Sequence, residues 1–195
     1  MRSMKKTDVY SQILETAESL IQTQGYNAFS YKDIADKVGV KTSSIHYYFP
    51  TKADLGKEIV KLHIDALCAE LDIIVHKTHL SCRKKLDLFI DAIVAKTFLD
   101  DRKMCLGGML AADVLTLPVI IQKEVKQFFN RLEQWLQRLL SEAITKKELR
   151  LTEKELKNEA MVILSQLEGA LLLARLFQDE GHLAAARRHI MARFK

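Results

Sequence analysis

Proline occurs only twice in this chain of 195 residues, and glycine only seven times. These are the residues that interrupt helices. Their scarcity, with Leu, Ala, Lys and Glu interleaved along the chain, predicts an all-α fold. Cysteine is present three times, as Cys68, Cys82 and Cys105. An odd number without a C-x-x-C spacing argues against a disulfide framework or a zinc site and predicts reduced thiols in a cytoplasmic setting. No uninterrupted apolar run reaches about 18 residues, so no membrane span is expected. The segment MRSMKKTDVY is basic but has no apolar core after it, so export is not expected. G-x-S-x-G, H-E-x-x-H and a glycine-rich phosphate loop are all missing. The histidines are scattered. His76 and His79 are three apart but have no acid or Cys motif beside them. The expectation is no enzyme, no catalytic residue, no metal and no cofactor.

What is present is a globular composition, 48% apolar and 28% charged, with a net charge of +5. The charge is mildly basic and decides little. Its distribution says more: Arg2, Lys5 and Lys6 cluster at the start, and Lys41 and Lys52 flank a polar, aromatic stretch.

Residues 9–24 place Ile13, Leu14, Ala17, Leu20 and Ile21 on one helical stripe, ended by Gly25. Ser30 followed by Asp33 reads as a capping box opening a short helix with Ile34, Ala35 and Val38 inside. Gly39 closes that helix, and residues 42–49 form the next, stopped by Pro50. Thr51 to Asp54 caps a fourth, longer helix. Two short helices joined at a glycine turn make a helix-turn-helix, whose second helix lies in the DNA major groove. Within KVGVKTSSIHYYFPTKADL, the small hydroxyls of Thr42, Ser43 and Ser44 start that second helix, where they reach base edges or phosphates. Tyr47 and Tyr48 offer flat bodies with hydroxyl tips, and Lys52 is placed to meet backbone charge. Ile45 and Phe49 are core positions.

Gly25-Tyr26, Ile34-Ala35, Gly39-Val40, His46-Tyr47-Tyr48-Phe49, Lys52 and Leu55 stand in one register. In this order they resemble the TetR family of bacterial transcriptional regulators over residues 8–58. The resemblance implies a three-helix DNA-binding domain over residues 1–52. It also implies a larger helical ligand-binding and dimerisation domain over residues 53–195, with about nine helices in all. It assigns DNA contact to Lys32, assigns the reading end to Lys41, Thr42, Ser43 and Ser44, and assigns phosphate grip to Tyr47, Tyr48 and Lys52. The family usually has Tyr where His46 stands, which leaves base contact, phosphate contact and packing open for that residue.

The second part of the chain has longer helices. Residues 86–97 carry one stripe, 104–117 a softer piece with Gly107-Gly108, and residues after Pro118 a long amphipathic helix. Thr152 and Glu155 read as a capping box for a helix running to about residue 178 and ended by Gly181. Residues 158–177 are apolar almost all round, so this helix needs partners on two sides. Small residues there allow close approach, and the resemblance implies a four-helix dimer seam. Its expected members are Ala170, Ala174, Leu183, Ala186 and Ile190. A ligand pocket between helices is expected to draw on Phe89, Ile93, Met104, Met109 and Phe128, together with Trp135, Leu164 and the acid Glu168. Each of the apolar members also reads as plain core, as an aromatic and Met stripe at helical spacing usually is. Cys105 follows Arg102 and Lys103, cations that favour a thiolate; the alternative is a small buried residue.

With these features, the resemblance implies a regulator, most simply a repressor, that binds a palindromic double-stranded DNA operator as a homodimer and is released by a small apolar inducer. The alternatives are a constitutive DNA-binding factor without ligand and a sensor of oxidants or electrophiles through Cys105.

Overall fold

The computed structural model describes residues 6–99, 102–152 and 154–194, with side chains from residue 9. Of the basic N-terminal cluster, Arg2, Lys5 and the side chain of Lys6 lie outside these. Among the described residues nine α-helices form: α1 (Lys6–Gln24), α2 (Tyr31–Val38), α3 (Thr42–Tyr48), α4 (Lys52–Val75), α5 (Cys82–Ala95), α6 (Leu106–Ala112), α7 (Val119–Thr145), α8 (Leu156–Phe177) and α9 (Gly181–Met191). Short 3-10 turns occupy Tyr26–Ala28 and Val114–Thr116. No strand forms among these residues; one isolated antiparallel bridge joins Leu149 and Phe194. The chain divides into two compact units. The first comprises Met1–His63 and Leu106–Phe128, and the second comprises Ile64–Cys105 and Phe129–Lys195.

In the first unit, α1 packs on α2 and α6, and α2 on α3. The predicted stripe is the core: Ile13, Ala17, Ile21, Ile34, Ala35, Ile45, Phe49 and Leu55 are all buried. Helix ends are set by local chemistry. The Ser30 backbone N–H and hydroxyl both donate to Asp33 Oδ2, each at 2.7 Å, at the start of α2. Thr51 and Asp54 repeat the arrangement at α4. Gly39 ends α2 in the left-handed conformation (φ 75°, ψ 33°), and its N–H donates to the Ala35 carbonyl. Gly25 ends α1 at φ 89°, ψ 160°, a region open essentially to glycine alone. It therefore differs from the left-handed helical conformation of Gly39.

In the second unit, Phe89 and Trp135 stack at 5.0 Å. Lys85 is almost fully buried. Its Nζ donates to the Val75 carbonyl at 2.9 Å and to Glu142 at 2.9 and 3.1 Å. Burial pushes the Glu142 carboxyl up, but hydrogen bonds from Lys146 and Lys85 outweigh it and hold the group below its ordinary value. The start of α5 is capped from a distance, since Glu148 Oε2 accepts from Cys82 N at 2.7 Å. Arg187 on α9 reaches Asp87 and Asp91 on α5.

Three expectations are refined here. Gly181 does not end α8; the non-glycine Gln178 does so in the left-handed region (φ 56°), and Gly181 opens α9. Although no apolar run is uninterrupted, α8 is long and apolar enough to cross a membrane by length and composition, with mean hydropathy 1.6 over 18 residues. Its apolar excess has another outlet, because it has two apolar faces. Ile163, Leu164, Leu167, Ala170, Leu171 and Ala174 face the unit's own core. Met161, Val162, Leu172, Leu173, Leu176 and Phe177 are exposed. The third concerns the seam. Ala170, Ala174, Leu183 and Ile190 are 0–8% exposed inside their own chain and offer little surface to a partner. Ala186 is half-buried.

Candidate nucleic-acid interface

Helix α3 has one buried side and one open side. Ile45 and the following Phe49 anchor it, being 0% and 4% exposed. Around them Lys41, Thr42, Ser43, His46 and Tyr47 are exposed, while Ser44 and Tyr48 are half-buried. Lys32, in the first turn of α2, is exposed as well. The open side is cationic and rich in hydroxyls, with no carboxylate on α3 itself. Such a surface offers donors to phosphate and rotatable hydroxyls to base edges.

The aromatics behind it form a chain. Tyr47 meets Tyr48 edge-on at 5.1 Å, Tyr48 meets Tyr10 at 5.6 Å, and Tyr10 stacks on Phe49 at 5.4 Å. Tyr10 Oη donates to Glu58 at 3.3 Å, which ties α1 to α4 behind the reading helix. Tyr47 stays 68% exposed, so its phenol is presented outward. Tyr48 is the member turned partly inward.

Lys52 departs from its expected role. Its ammonium points inward, donating to the Tyr26 carbonyl at 2.6 Å and to the Phe29 carbonyl. It also lies over both rings, 4.6 Å and 4.0 Å from the Tyr26 and Phe29 centroids. Two of the three N–H donors and the charge itself are thereby committed to the turn between α1 and α2. Burial lowers the Lys52 pKa, opposed by the charge of Asp33. Burial also pushes the Tyr26 phenol up to about 12, with the Asp54 charge adding to it.

Sequence reasoning missed two residues at this surface. Tyr31 donates through Oη to the Phe49 carbonyl at 2.9 Å and sets its ring edge-on to His46 at 4.7 Å. Tyr10 is the other. Neither has a signal in the sequence, because each acts through a neighbour 15 or more positions away in the chain.

The expected ligand residues fall in both units. Phe89, Ile93, Met104, Cys105, Trp135 and Leu164 are all buried in the second unit, whereas Met109 and Phe128 belong to the first. Two cavities of the second unit involve none of them. One, of about 720 Å³, lies between the start of α5 and α9 and includes Arg83, Lys84, Arg187 and Arg188. The other, of about 510 Å³, lies between α4 and α7 beside Cys68 and Arg131. Glu168 is the exception in chemistry. Burial pushes its carboxyl up, a hydrogen bond with Cys105 opposes that, and Oε2 is buried without a partner. Trp135 Nε1 is likewise buried and unpartnered. Such atoms are rare in folded proteins and each costs about 1–3 kcal/mol.

Replacing Lys52 with Ala removes the donors of two carbonyls and the cation over two rings. A stability loss of about 1–3 kcal/mol in urea unfolding is expected, whereas Lys41→Ala, at an exposed side chain, leaves stability unchanged. Equal stability of the two variants would show that the Lys52 knot is dispensable. Glu168 predicts a pH effect. Its folded pKa is raised, so its stabilising contribution is complete below its unfolded pKa and is lost as pH rises through the folded value. Glu168→Gln carries no such dependence. Its stability relative to wild type therefore increases from about pH 4.5 upward, and a pH-independent difference in urea unfolding would contradict this.

Comparison with known proteins agrees with this geometry. Residues 13–59 match the model of bacterial regulatory proteins of the tetR family, and residues 84–190 match the tetracyclin repressor-like C-terminal domain. A TetR transcriptional regulator from Legionella pneumophila is 41% identical over the whole of both chains, with a TM-score of 0.91. A TetR-family regulator from Agrobacterium tumefaciens is 28% identical over 98% of this chain and 100% of its own, again with a TM-score of 0.91. Reduced NemR from E. coli, at 20% identity, 96% and 98% coverage and a TM-score of 0.82, shares the fold. No curated protein matches the sequence. The helix-turn-helix of α2 and α3, its exposed polar face and these matches together show that the chain belongs to the TetR family of DNA-binding transcriptional regulators.

Proposed function

We propose that this regulator is a ligand-responsive repressor that grips a two-fold operator as a homodimer. The observation that carries the DNA half is the exposed face of α3, held up by buried Ile45 and Phe49. On this reading Thr42, Ser43 and Ser44 meet base edges, while Lys32, Lys41, Tyr47 and Tyr48 grip phosphates. Residues 1–52 carry this work, and residues 53–195 carry ligand binding and dimerisation.

The exposed face of α8 supports the dimer. Residues 161, 165, 169, 172 and 176 recur at helical spacing on one side, where Leu172 is 56% and Leu176 69% exposed. At Gly169 an added Cβ would meet nothing within 4 Å, so a second helix can approach closely there. A second copy of α8 covers such a face by two-fold symmetry, and the two reading heads then address a palindrome.

The ligand half rests on Glu168 and Trp135. On this reading a small molecule with an apolar body and a polar group hydrogen-bonds to the unpartnered Oε2 of Glu168. That assignment refines the purely apolar inducer expected from the sequence. Cys105 is 5% exposed and shares a hydrogen bond with Glu168, while Arg102 is turned to Gln178 at 3.0 Å. These contacts favour packing over thiol sensing at this position. A cytoplasmic location follows from the proposed task.

Operator binding is expected to be strongly salt-dependent. With roughly six to ten phosphates neutralised per dimer, raising salt from about 50 to 200 mM weakens binding by about 10³–10⁵. A flat salt profile in fluorescence anisotropy would contradict phosphate grip by this face. For the dimer, Leu172→Arg or Leu176→Arg places a charge on the exposed seam and yields folded monomers in light scattering. Ala174→Arg, at a fully buried site, disrupts the fold instead. Dimers persisting in both leucine variants would move the interface away from α8.

A further inference from the structure

The family resemblance left three roles open for His46, and the geometry decides between them. His46 Nδ1 lies 3.2 Å from the Pro50 carbonyl oxygen. A carbonyl oxygen only accepts, so Nδ1 carries the hydrogen and donates it. In the neutral ring this leaves Nε2 with a lone pair and no proton. The ring is held from a second direction by Tyr31, edge-on at 4.7 Å, and Tyr31 is itself fixed by its hydrogen bond to the Phe49 carbonyl. His46 nonetheless remains exposed. It therefore presents a fixed acceptor on the open side of α3.

A phosphate oxygen also only accepts, so a neutral His46 in this tautomer has nothing to offer the DNA backbone. In the major groove the matching donors are the exocyclic amino groups, N6 of adenine and N4 of cytosine. Guanine O6 and thymine O4 are acceptors and face the lone pair unfavourably. The neighbours are more permissive. Thr42, Ser43 and Tyr47 carry hydroxyls that donate or accept, and Lys41 is a donor on a flexible stem. We propose that His46 is a specificity-determining residue that selects an amino base, adenine or cytosine, over a keto base on the strand facing it, with Tyr31 as its positioning residue. This rests on α3 being the helix that reads the operator.

The test is selection from randomised DNA at pH 8, where an imidazole is ordinarily neutral, using wild type, His46→Ala, His46→Arg, Tyr31→Phe and Tyr31→Leu. Thermal unfolding by circular dichroism accompanies each. Wild type is expected to prefer amino over keto bases about five- to tenfold at one position of each half-site. His46→Ala loses the preference at that position alone. His46→Arg, a donor without an acceptor, inverts it to guanine or thymine. Tyr31→Phe retains the ring beside His46 and keeps the preference; Tyr31→Leu weakens it at the same position only. Uniform loss of affinity in His46→Ala, with a shallower salt slope, would mean a phosphate contact and overturn the proposal. An unchanged motif in His46→Arg would overturn it too. If wild type selected a motif that Thr42 and Ser43 substitutions also left untouched, the fault would lie with α3 as the reading helix.

Discussion

One lysine joins the parts of the DNA-binding head. Lys52 begins α4 yet ends on the carbonyls of Tyr26 and Phe29, in the turn that leads into α2. Between those points lie α2, the Gly39 turn and α3. A charge-assisted hydrogen bond to a carbonyl is stronger than a neutral one, and here two converge beneath two aromatic faces. The knot closes the loop of chain that contains the reading helix. The geometry of His46, Tyr31 and Phe49 is built within that loop.

The same logic separates groups that organise the second unit from groups that merely decorate it. Lys85 is 1% exposed and has every visible acceptor around it, Val75 and Glu142, so its burial is compensated. The pair between Arg138 and Asp72, 3.7 Å apart and well exposed on both sides, contributes little by comparison. Glu168 and Trp135 are the opposite case, polar atoms buried without compensation. An uncompensated buried polar atom is where a ligand that supplies the missing partner gains most from binding.

Much of the head was legible in the chain before any coordinates. Ser30 with Asp33, Thr51 with Asp54 and the glycine at 39 act over three or four residues, and each appeared where the pattern placed it. The stripe of Ile13, Ala17, Leu20 and Ile21 is core because helical periodicity alone puts those residues on one side. Lys52 was misread for an equally physical reason. Position beside a reading helix suggests a phosphate contact, but sequence carries no information about carbonyls 23 and 26 residues away.

Helix α8 marks the limit most clearly. Its composition alone establishes that it is apolar on nearly every side, hence that it needs neighbours on two. Which side meets its own chain depends on how α9 lies against it, a contact made by tertiary packing. So Ala170 and Ala174 went inward, and Leu172 and Leu176 were left outward. The sequence by itself determined the helices, the caps that open α2 and α4, the helix-turn-helix and the family, because these depend on local geometry and on spacing. Tertiary structure alone decided the direction of the Lys52 ammonium and the burial of Glu168 Oε2 without a partner, because a charge answers to whatever lies within about 3 Å of it, however distant in the chain.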